Sequence, residues 1–292
     1  MSGGGGGISE LGAIEAIVAA ALAEDLGSGD LTGRLTVPAN TQARGRIVAK
    51  QALTLAGAPV IAQVFAAVAR LGGAVQVRVQ VDDGAAITPG TVVAELEGDA
   101  RSILAGERTA LNLLGRACAV ATTTRRYVDA AGPELRVVDT RKTMPGLRAL
   151  DRYAVRCGGG HNHRNDLGAG VLIKENHIRC AGSVTAAVAA AKAHAPHTAR
   201  IECEVETLDE LREAVAAGAE ILLLDNMDDD TLREAVAIVG PKGERRVILE
   251  VSGGITIERL PRLATLGLDL VSVGALTHSA PNVDLSLLFE LG

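Results

Sequence analysis

From residue 135 onward the chain repeats one pattern: a short apolar run, one or two polar residues, then a stretch with helical spacing. The apolar runs are 135–138, 171–173, 201–205, 221–224, 247–249 and 270–273, and the helical stretches between them are 146–156, 183–194, 208–217, 231–239 and 257–266. The runs are short and read as apolar on both faces, as parallel strands covered by helices do. Gly218, Gly240 and Gly267 fall at the helix ends, where a left-handed C-cap favours glycine. Six β/α units of this kind build either an open doubly wound sheet or an incomplete β/α barrel. A doubly wound sheet gathers its polar residues at one switch point, whereas here they follow all six runs, so the pattern predicts the barrel.

In a barrel, whatever follows the strands rims one face, where such enzymes keep their active sites. The first unit supplies Arg141 and Lys142, and the second supplies Lys174 with Glu175, Asn176 and His177. Glu202 and Glu204 come from the third, Asp225 and Asn226 from the fourth, and Glu250 with Ser252-Gly253-Gly254 from the fifth. Gly274, with Thr277 and His278 just beyond, closes the sixth. Ser252-Gly253-Gly254 ahead of a helix start has the form of a phosphate cradle, because glycines let backbone N–H groups close on an anion. Glu204 and Asp225 are the acidic pair of the rim, suited to hold sugar hydroxyls, ligate Mg2+ or face a developing sugar cation. No serine or cysteine stands beside His163, and His163 and His278 both read as anion donors.

The densest stretch runs from Asp139-Thr140-Arg141-Lys142-Thr143 to Gly158-Gly159-Gly160-His161-Asn162-His163-Arg164. It is a set of fixed cations without a nucleophile and its base. Guanidinium offers two parallel donors to a planar carboxylate, while Lys acts as a point charge. The ligand set this implies is a phosphate, a sugar, and a compact group with more than one carboxylate.

The rest of the chain of 292 residues limits the alternatives. The net charge is −6 and aromatic residues are 1% of the total, which argues against a membrane-surface binder and against the stacking platforms of nucleic-acid proteins. Cys118, Cys157, Cys180 and Cys203 form no C-x-x-C pair and read as buried reduced thiols of a cytoplasmic protein. Residues 1–7 are glycine-rich and read as disordered, without a signal peptide or membrane span. Residues 14–26 read as a helix, the acidic turn after it as a local cap, and 43–97 as a small α/β layer. That layer has a strand at 44–50, a helix at 58–71, an alternating strand through Val75, Val77, Val79 and Val81, and a strand at 91–96. Asp99 can cap the helical region after it, and 107–129 reads as a long helix with Arg108 in its first turn. A cation there opposes the helix dipole and calls for an anionic partner.

These residues also carry a family resemblance. Gly106-Glu107-Arg108-Thr109-Ala110-Leu111-Asn112-Leu113-Leu114, the two motifs of the cationic stretch, Leu172-Ile173-Lys174-Glu175-Asn176-His177, Leu224-Asp225-Asn226, Ser252-Gly253-Gly254 and Val273-Gly274-Ala275-Leu276-Thr277-His278 follow one another in the order of the quinolinate phosphoribosyltransferases, nicotinate-nucleotide pyrophosphorylases (carboxylating). The chain resembles that family from Ala23 to its C-terminus. The resemblance implies an α/β fold with an N-terminal α/β sandwich domain, residues 1–110, to which 279–292 returns, and an incomplete, six- to seven-stranded β/α barrel over 111–278. It implies transfer of the phosphoribosyl group of phosphoribosyl pyrophosphate (PRPP) to quinolinate with decarboxylation, a step of NAD biosynthesis, in a homodimer or a higher oligomer of such pairs. Quinolinate would lie among Arg141, His163, Arg164, Lys174 and Arg108 donated across the interface. Lys142, Lys174 and His278 would take the pyrophosphate of PRPP, Glu204 and Asp225 its ribose and Mg2+, and Ser252, Gly253, Gly254 and Gly274 its 5-phosphate. Lys142, Glu204 and Asp225 would be catalytic. His161 has no assigned role. A paralogous phosphoribosyltransferase-like protein linked to molybdenum transport, or a non-catalytic sensor, are the competing readings, and the full cationic set disfavours the first.

Overall fold

Alternation along residues 42–49 sets up the first layer. In strand β1 (Gln42–Ala49) Ala43, Gly45 and Ile47 are buried while Arg44 and Arg46 are exposed. The computed structural model describes residues 8–70 and 72–291; the glycine-rich 1–7, and Leu71 at the end of the expected helix, lie outside that range. Two further strands, β2 (Leu53–Thr54) and β4 (Ala86–Ile87), pair with each other. β3 (Val75–Val79) and β5 (Val92–Asp99) join β1 and the last strand, β12 (Leu285–Leu291), in an antiparallel sheet ordered β12-β1-β5-β3. Its apolar face carries Ile47, Ala94 and Leu96; its polar face carries Arg44 against Glu97 and Arg46 against Glu290. Helix Ala58–Ala69 buries Val60, Ile61, Val64, Phe65 and Val68, each such side chain contributing roughly 1.5–3 kcal/mol. The C-terminal segment returns to this sheet through β12, which pairs with β1 from Ala43 to Ala49.

The expected helix at 14–26 spans Ile8–Leu26, and Asp30 caps the next short helix, Leu31–Thr36, by accepting from Gly33 N at 2.9 Å. The long helix runs Ala100–Ala131, with Asp99 accepting from Ser102 N at 2.8 Å as its cap. Arg108 is therefore more than two turns inside the helix and not in its first turn, so the dipole argument for a partner at that position does not apply. Leu111, Leu114, Cys118 and Ala121 do form its buried stripe.

By contacts the chain falls into two compact units. One takes the chain to Arg125, Thr143–Gly159 and Leu276 onward; the other takes Arg126–Lys142 and Gly160–Ala275. This differs from a division at 110 and 278: the first boundary falls further along the same long helix, at Arg125. In addition, helix Arg148–Cys157 bonds into the first unit: Asp151 takes Arg116 as a bidentate partner, and the Tyr153 hydroxyl donates to Asp83.

The second unit holds six parallel strands: β6 (Arg136–Val138), β7 (Val171–Ile173), β8 (Ile201–Val205), β9 (Ile221–Asp225), β10 (Ile248–Ser252) and β11 (Leu270–Ser272). Their order is β6-β11-β10-β9-β8-β7, a barrel-like sheet whose end strands do not pair. Helices Val184–His194, Leu208–Ala217 and Asp229–Val239 alternate with them, the second opened by a capping box between Thr207 and Glu210. The strands are not apolar on both faces. Val137, Ile173, Cys203, Leu222, Leu224, Leu249, Val251 and Val271 form one face and are buried. The alternate residues, brought side by side by the parallel register, include Glu202, Glu204, Asp225, Glu250, Ser252 and Ser272. A closed or nearly closed sheet can carry charge on its inner face if each group finds a partner there.

Candidate functional site

Each cation of the second unit is held by backbone geometry before any ligand is considered. β6 ends at Val138, and Asp139, fully buried, follows it. Its carboxylate accepts from Asn162 Nδ2 at 2.6 Å and from His163 N at 2.7 Å, which brings the segment after the glycine triplet back beside the strand it left. His161 does this with its backbone. It bridges to Val138, donates from N to Val137 O at 2.9 Å and accepts from Asp139 N at 3.0 Å, while its side chain is exposed. That is the part the sequence left unassigned. Gly158, the first of the triplet, is a packing requirement within the first unit: a Cβ there would lie 2.6 Å from Ala121 O and from the Thr124 Cβ.

Arg141 and Arg164 face the same region. Burial and then the positive charge of Arg141 lower the pKa of the Arg164 guanidinium. Arg141 Nε is buried with no hydrogen-bond partner among the described residues, and Arg164 spends one nitrogen on Gly170 O at 3.1 Å. Two guanidinium groups near enough for the charge of one to act on the other, one with an orphaned buried donor, make a site for an anion with planar oxygens. Lys142 is exposed next to them, its amide bonded to Thr140 Oγ1 at 3.1 Å. Lys174 starts helix Glu175–Ala181 and its ammonium pairs with Glu204, while His177 caps that helix by accepting from Lys174 N at 2.9 Å.

Asp225 ends β9 and accepts from Asn226 Nδ2 at 2.6 Å. Asn226 has a left-handed backbone, φ 53°, and donates from N to Ser252 O at 3.1 Å. Gly253 sits on top of it at φ 89°: a Cβ would come 2.1 Å from Asn226 Oδ1, so only glycine allows the two strand ends to meet. The cradle Ser252-Gly253-Gly254 is therefore real as a turn. The helix expected to begin behind it is a 3-10 turn, Ile257–Arg259, running into Leu260–Leu263, so its dipole adds little and the backbone N–H groups of the turn carry any anion binding. Glu204 and Asp225 offer hard oxygen donors of the kind Mg2+ takes together with substrate phosphates and water.

Beneath the cations lies a cluster not singled out as a site from the sequence. His163 Nε2 stands 3.2 Å from Glu202 Oε2 and 3.7 Å from Glu250 Oε1, and both carboxylates are almost fully buried. Burial pushes the Glu250 carboxyl up to about 7, the neighbouring Glu202 charge adds to this, and His163 and Ser272 work against it. On His163 burial pulls downward, but hydrogen bonding to Glu202 and the charges of Glu202, Glu250 and Asp139 outweigh it and the net direction is up. The signal for this pair was in Ile201-Glu202-Cys203-Glu204-Val205, where acid alternates with apolar residues at strand period. Arg108 and His278 belong to the first unit; both are exposed, and His278 Nδ1 lies 2.7 Å from Ser279 Oγ. Of the cysteines, Cys118 and Cys203 are buried with thiols pushed up to about 12 by burial, but Cys180 is exposed and Cys157 is between, so burial holds for two; all four are free thiols.

The models of the N-terminal and C-terminal domains of quinolinate phosphoribosyl transferase match residues 30–118 and 120–288, nearly the whole chain between them. The chain belongs to the quinolinate phosphoribosyltransferase family. A probable nicotinate-nucleotide pyrophosphorylase (carboxylating) of Bacillus subtilis is 42% identical, covering 90% of this chain and 89% of its own length. The nicotinate-nucleotide pyrophosphorylase (carboxylating) of Mycobacterium leprae is 41% identical over 91% of this chain and 94% of its own. The solved nicotinate-nucleotide pyrophosphorylase of Francisella tularensis superposes with a TM-score of 0.88 at 36% identity, covering 96% of this chain and 97% of that one. As a quinolinate phosphoribosyltransferase-family chain, it has the barrel-like parallel sheet and separate antiparallel sheet that the motifs implied. Among its described residues no helix is long and apolar enough to cross a membrane.

Proposed function

We propose that this protein transfers the phosphoribosyl group of PRPP to the ring nitrogen of quinolinate and releases pyrophosphate and CO2, leaving nicotinate mononucleotide. The observation that carries this reading is the Arg141–Arg164 pair, with its orphaned buried Nε, set in the same unit as the Glu204–Asp225 acids and the Ser252-Gly253-Gly254 turn. The first suits a planar dicarboxylate and the other two suit a sugar phosphate.

In this reading quinolinate lies among Arg141, Arg164 and Lys174 with His163 beside them, and a second subunit of a homodimer adds its Arg108. The pyrophosphate meets Lys142, Lys174 and His278. Glu204 and Asp225 hold the ribose hydroxyls, and Ser252, Gly253, Gly254 and Gly274 hold the 5-phosphate. Glu204 and Asp225 would hold Mg2+ brought in with PRPP, and the ion would supply charge neutralisation for the leaving pyrophosphate. To engage the sugar, Glu204 must loosen its pairing with Lys174, which frees the ammonium for the anions at the same moment. As the bond from C1 to pyrophosphate stretches, the ribose carbon gains positive charge, and the two carboxylates face it. The ring nitrogen then bonds to C1 and becomes cationic. The adjacent carboxylate can now leave as CO2, because the electron pair it leaves on the ring carbon lies next to that positive charge; a proton replaces it. Lys142, Glu204 and Asp225 touch the reacting groups in this scheme; the arginines hold the dianion in line.

Pure protein incubated with carboxyl-labelled quinolinate, PRPP and Mg2+ releases labelled CO2 in proportion to the pyrophosphate formed. Pyrophosphate without labelled CO2, or neither product, rejects the reading and leaves another acceptor or a binding role.

A further inference from the structure

His163 has both ring nitrogens committed to the protein, in a way that defines which of them bears hydrogen. Arg164 N lies 2.7 Å from His163 Nδ1, and a backbone amide can only donate, so Nδ1 offers a lone pair. The proton of the neutral ring is then on Nε2, which faces Glu202 Oε2 at 3.2 Å and Oε1 at 3.4 Å, with Glu250 Oε1 behind at 3.7 Å. Glu250 is 2% exposed and that oxygen has no hydrogen-bond partner among the described residues. A second ring proton would have to sit at Nδ1, against the amide hydrogen already pointing there, and this opposes the pull of the carboxylates on the imidazole.

His163, Glu202 and Glu250 also place three ligand atoms within 4.8 Å of one another, as a bound metal would require. A histidine that ligates a metal normally donates hydrogen from its other nitrogen. Here the other nitrogen accepts, so the tautomer is the wrong one for metal and the right one for a hydrogen bond to a carboxylate.

We propose that Glu202 is a positioning residue of the anion site: by accepting the Nε2 hydrogen of His163, with the buried Glu250 carboxyl behind it, it locks the ring in its Nε2-H form and so keeps Nδ1 available to the Arg164 amide. Asp139 holds the same residue from the other side, through His163 N. The result is a rigid turn at 163–164 that aims the Arg164 side chain beside Arg141. His163 serves the ligand through Arg164, as a neutral wedge and not as a cation in contact with it. The site inferred to take the dicarboxylate rests on the function proposed above; the tautomer does not.

Two measurements separate the two claims. In histidine-15N-labelled protein at neutral pH, His163 identified by loss of its signals in His163→Asn, long-range nitrogen–proton spectra show Nδ1 bare and Nε2 protonated, with or without quinolinate. A doubly protonated ring, an Nδ1-H ring, or loss of the Nε2 proton on adding one equivalent of Zn2+ overturns the proposal whatever the enzyme's activity. In steady-state kinetics, Glu202→Ala raises the quinolinate KM about tenfold with a smaller fall in kcat, and Glu202→Gln, whose amide oxygen still accepts from Nε2, returns KM to within about threefold of the parent. If Glu202→Gln is as impaired as Glu202→Ala, charge and not the hydrogen bond is what matters, and the proposal fails. Should Glu202→Ala not fold, Glu202→Gln and the spectrum of the unaltered protein still decide. Turnover absent from the unaltered protein removes the proposed reaction and leaves the spectrum to judge the tautomer.

Discussion

Arg141 and Lys142 are adjacent in sequence yet differ in what the fold asks of them, Arg141 with a buried orphan nitrogen and Lys142 exposed. If Arg141 supplies a bidentate grip on a ring carboxylate, Arg141→Ala raises the quinolinate KM by at least about tenfold, the loss of one charge-assisted pair. Unchanged quinolinate kinetics would sink that assignment. Glu250 makes a prediction of a different kind. Its ordinary carboxyl value of 4.5 is raised to about 7 in the fold, so the folded state holds its proton more tightly than the unfolded chain does. The stabilisation this contributes is complete below about pH 4.5 and is lost as pH rises through about 7, a swing on the order of 3 kcal/mol. Glu250→Gln, which cannot ionise, therefore raises Tm above the parent's at about pH 8, and the gap closes toward about pH 5. A gap that is constant with pH would show that Glu250 does not titrate in this range. Glu202 and Glu250 were counted with the residues that follow the strands, but they sit inside strands and belong to the polar face of the sheet, which a reading of strand ends does not show. Arg141, Lys174 and Asp225 were legible because they stand where an apolar run stops.

At the level of elements, the strands and most helices of the second unit were readable from period alone, to within a residue or two at most ends; helix Glu175–Ala181 was not. Ile201–Val205 alternates clearly enough to mark its polar face, but three-residue strands such as Arg136–Val138 offer too few positions for period to do so. Nor could it show that helix Ala100–Ala131 begins well ahead of Glu107: Asp99 was recognisable as a cap, but Gly106 interrupts the helical pattern between them. Within the first unit, that helix is bolted to two others by one residue. Arg116, 15% exposed at its side chain, grips the fully buried Asp151 through two 2.9 Å bonds and also donates to Thr277 O; Asp151 in turn accepts from Met144 N at 3.2 Å. Removing the arginine leaves a buried carboxylate without its counter-charge. Arg116→Ala should therefore lower unfolding free energy by about 3–5 kcal/mol in urea titrations, far more than an exposed pair such as Arg44–Glu97. A loss below about 1 kcal/mol would mean that water reaches Asp151 freely. Because Met144 and Thr277 adjoin the segments that carry Lys142 and His278, the same variant should raise the KM for PRPP.

For the whole molecule, the resemblance assigns roles to residues of both units, and its most exacting consequence concerns Arg108. This residue lies deep in a helix, exposed, with no helix-end role to account for it. If it completes the quinolinate site of a partner subunit, the lesion in Arg108→Ala harms the neighbour's site and the lesion in Lys142→Ala harms its own. A mixed dimer then contains one site with both lesions and one with neither. Two inactive proteins, dissociated and reassembled at equal concentration, form about half mixed dimers with one good site in two, so activity recovers to about a quarter of the unmutated protein's. The ratio is what gives the experiment its force. If Arg108 serves its own subunit, every site in every dimer keeps one lesion and mixing restores nothing. If it serves no site, Arg108→Ala is active before mixing. Exchange of subunits must be shown separately, with differently tagged chains recovered together, so that a failure to recover activity counts against sharing and not against exchange. Sedimentation of the parent as a monomer at assay concentration would end the proposal without any mixing at all, since a site that borrows a side chain cannot work alone.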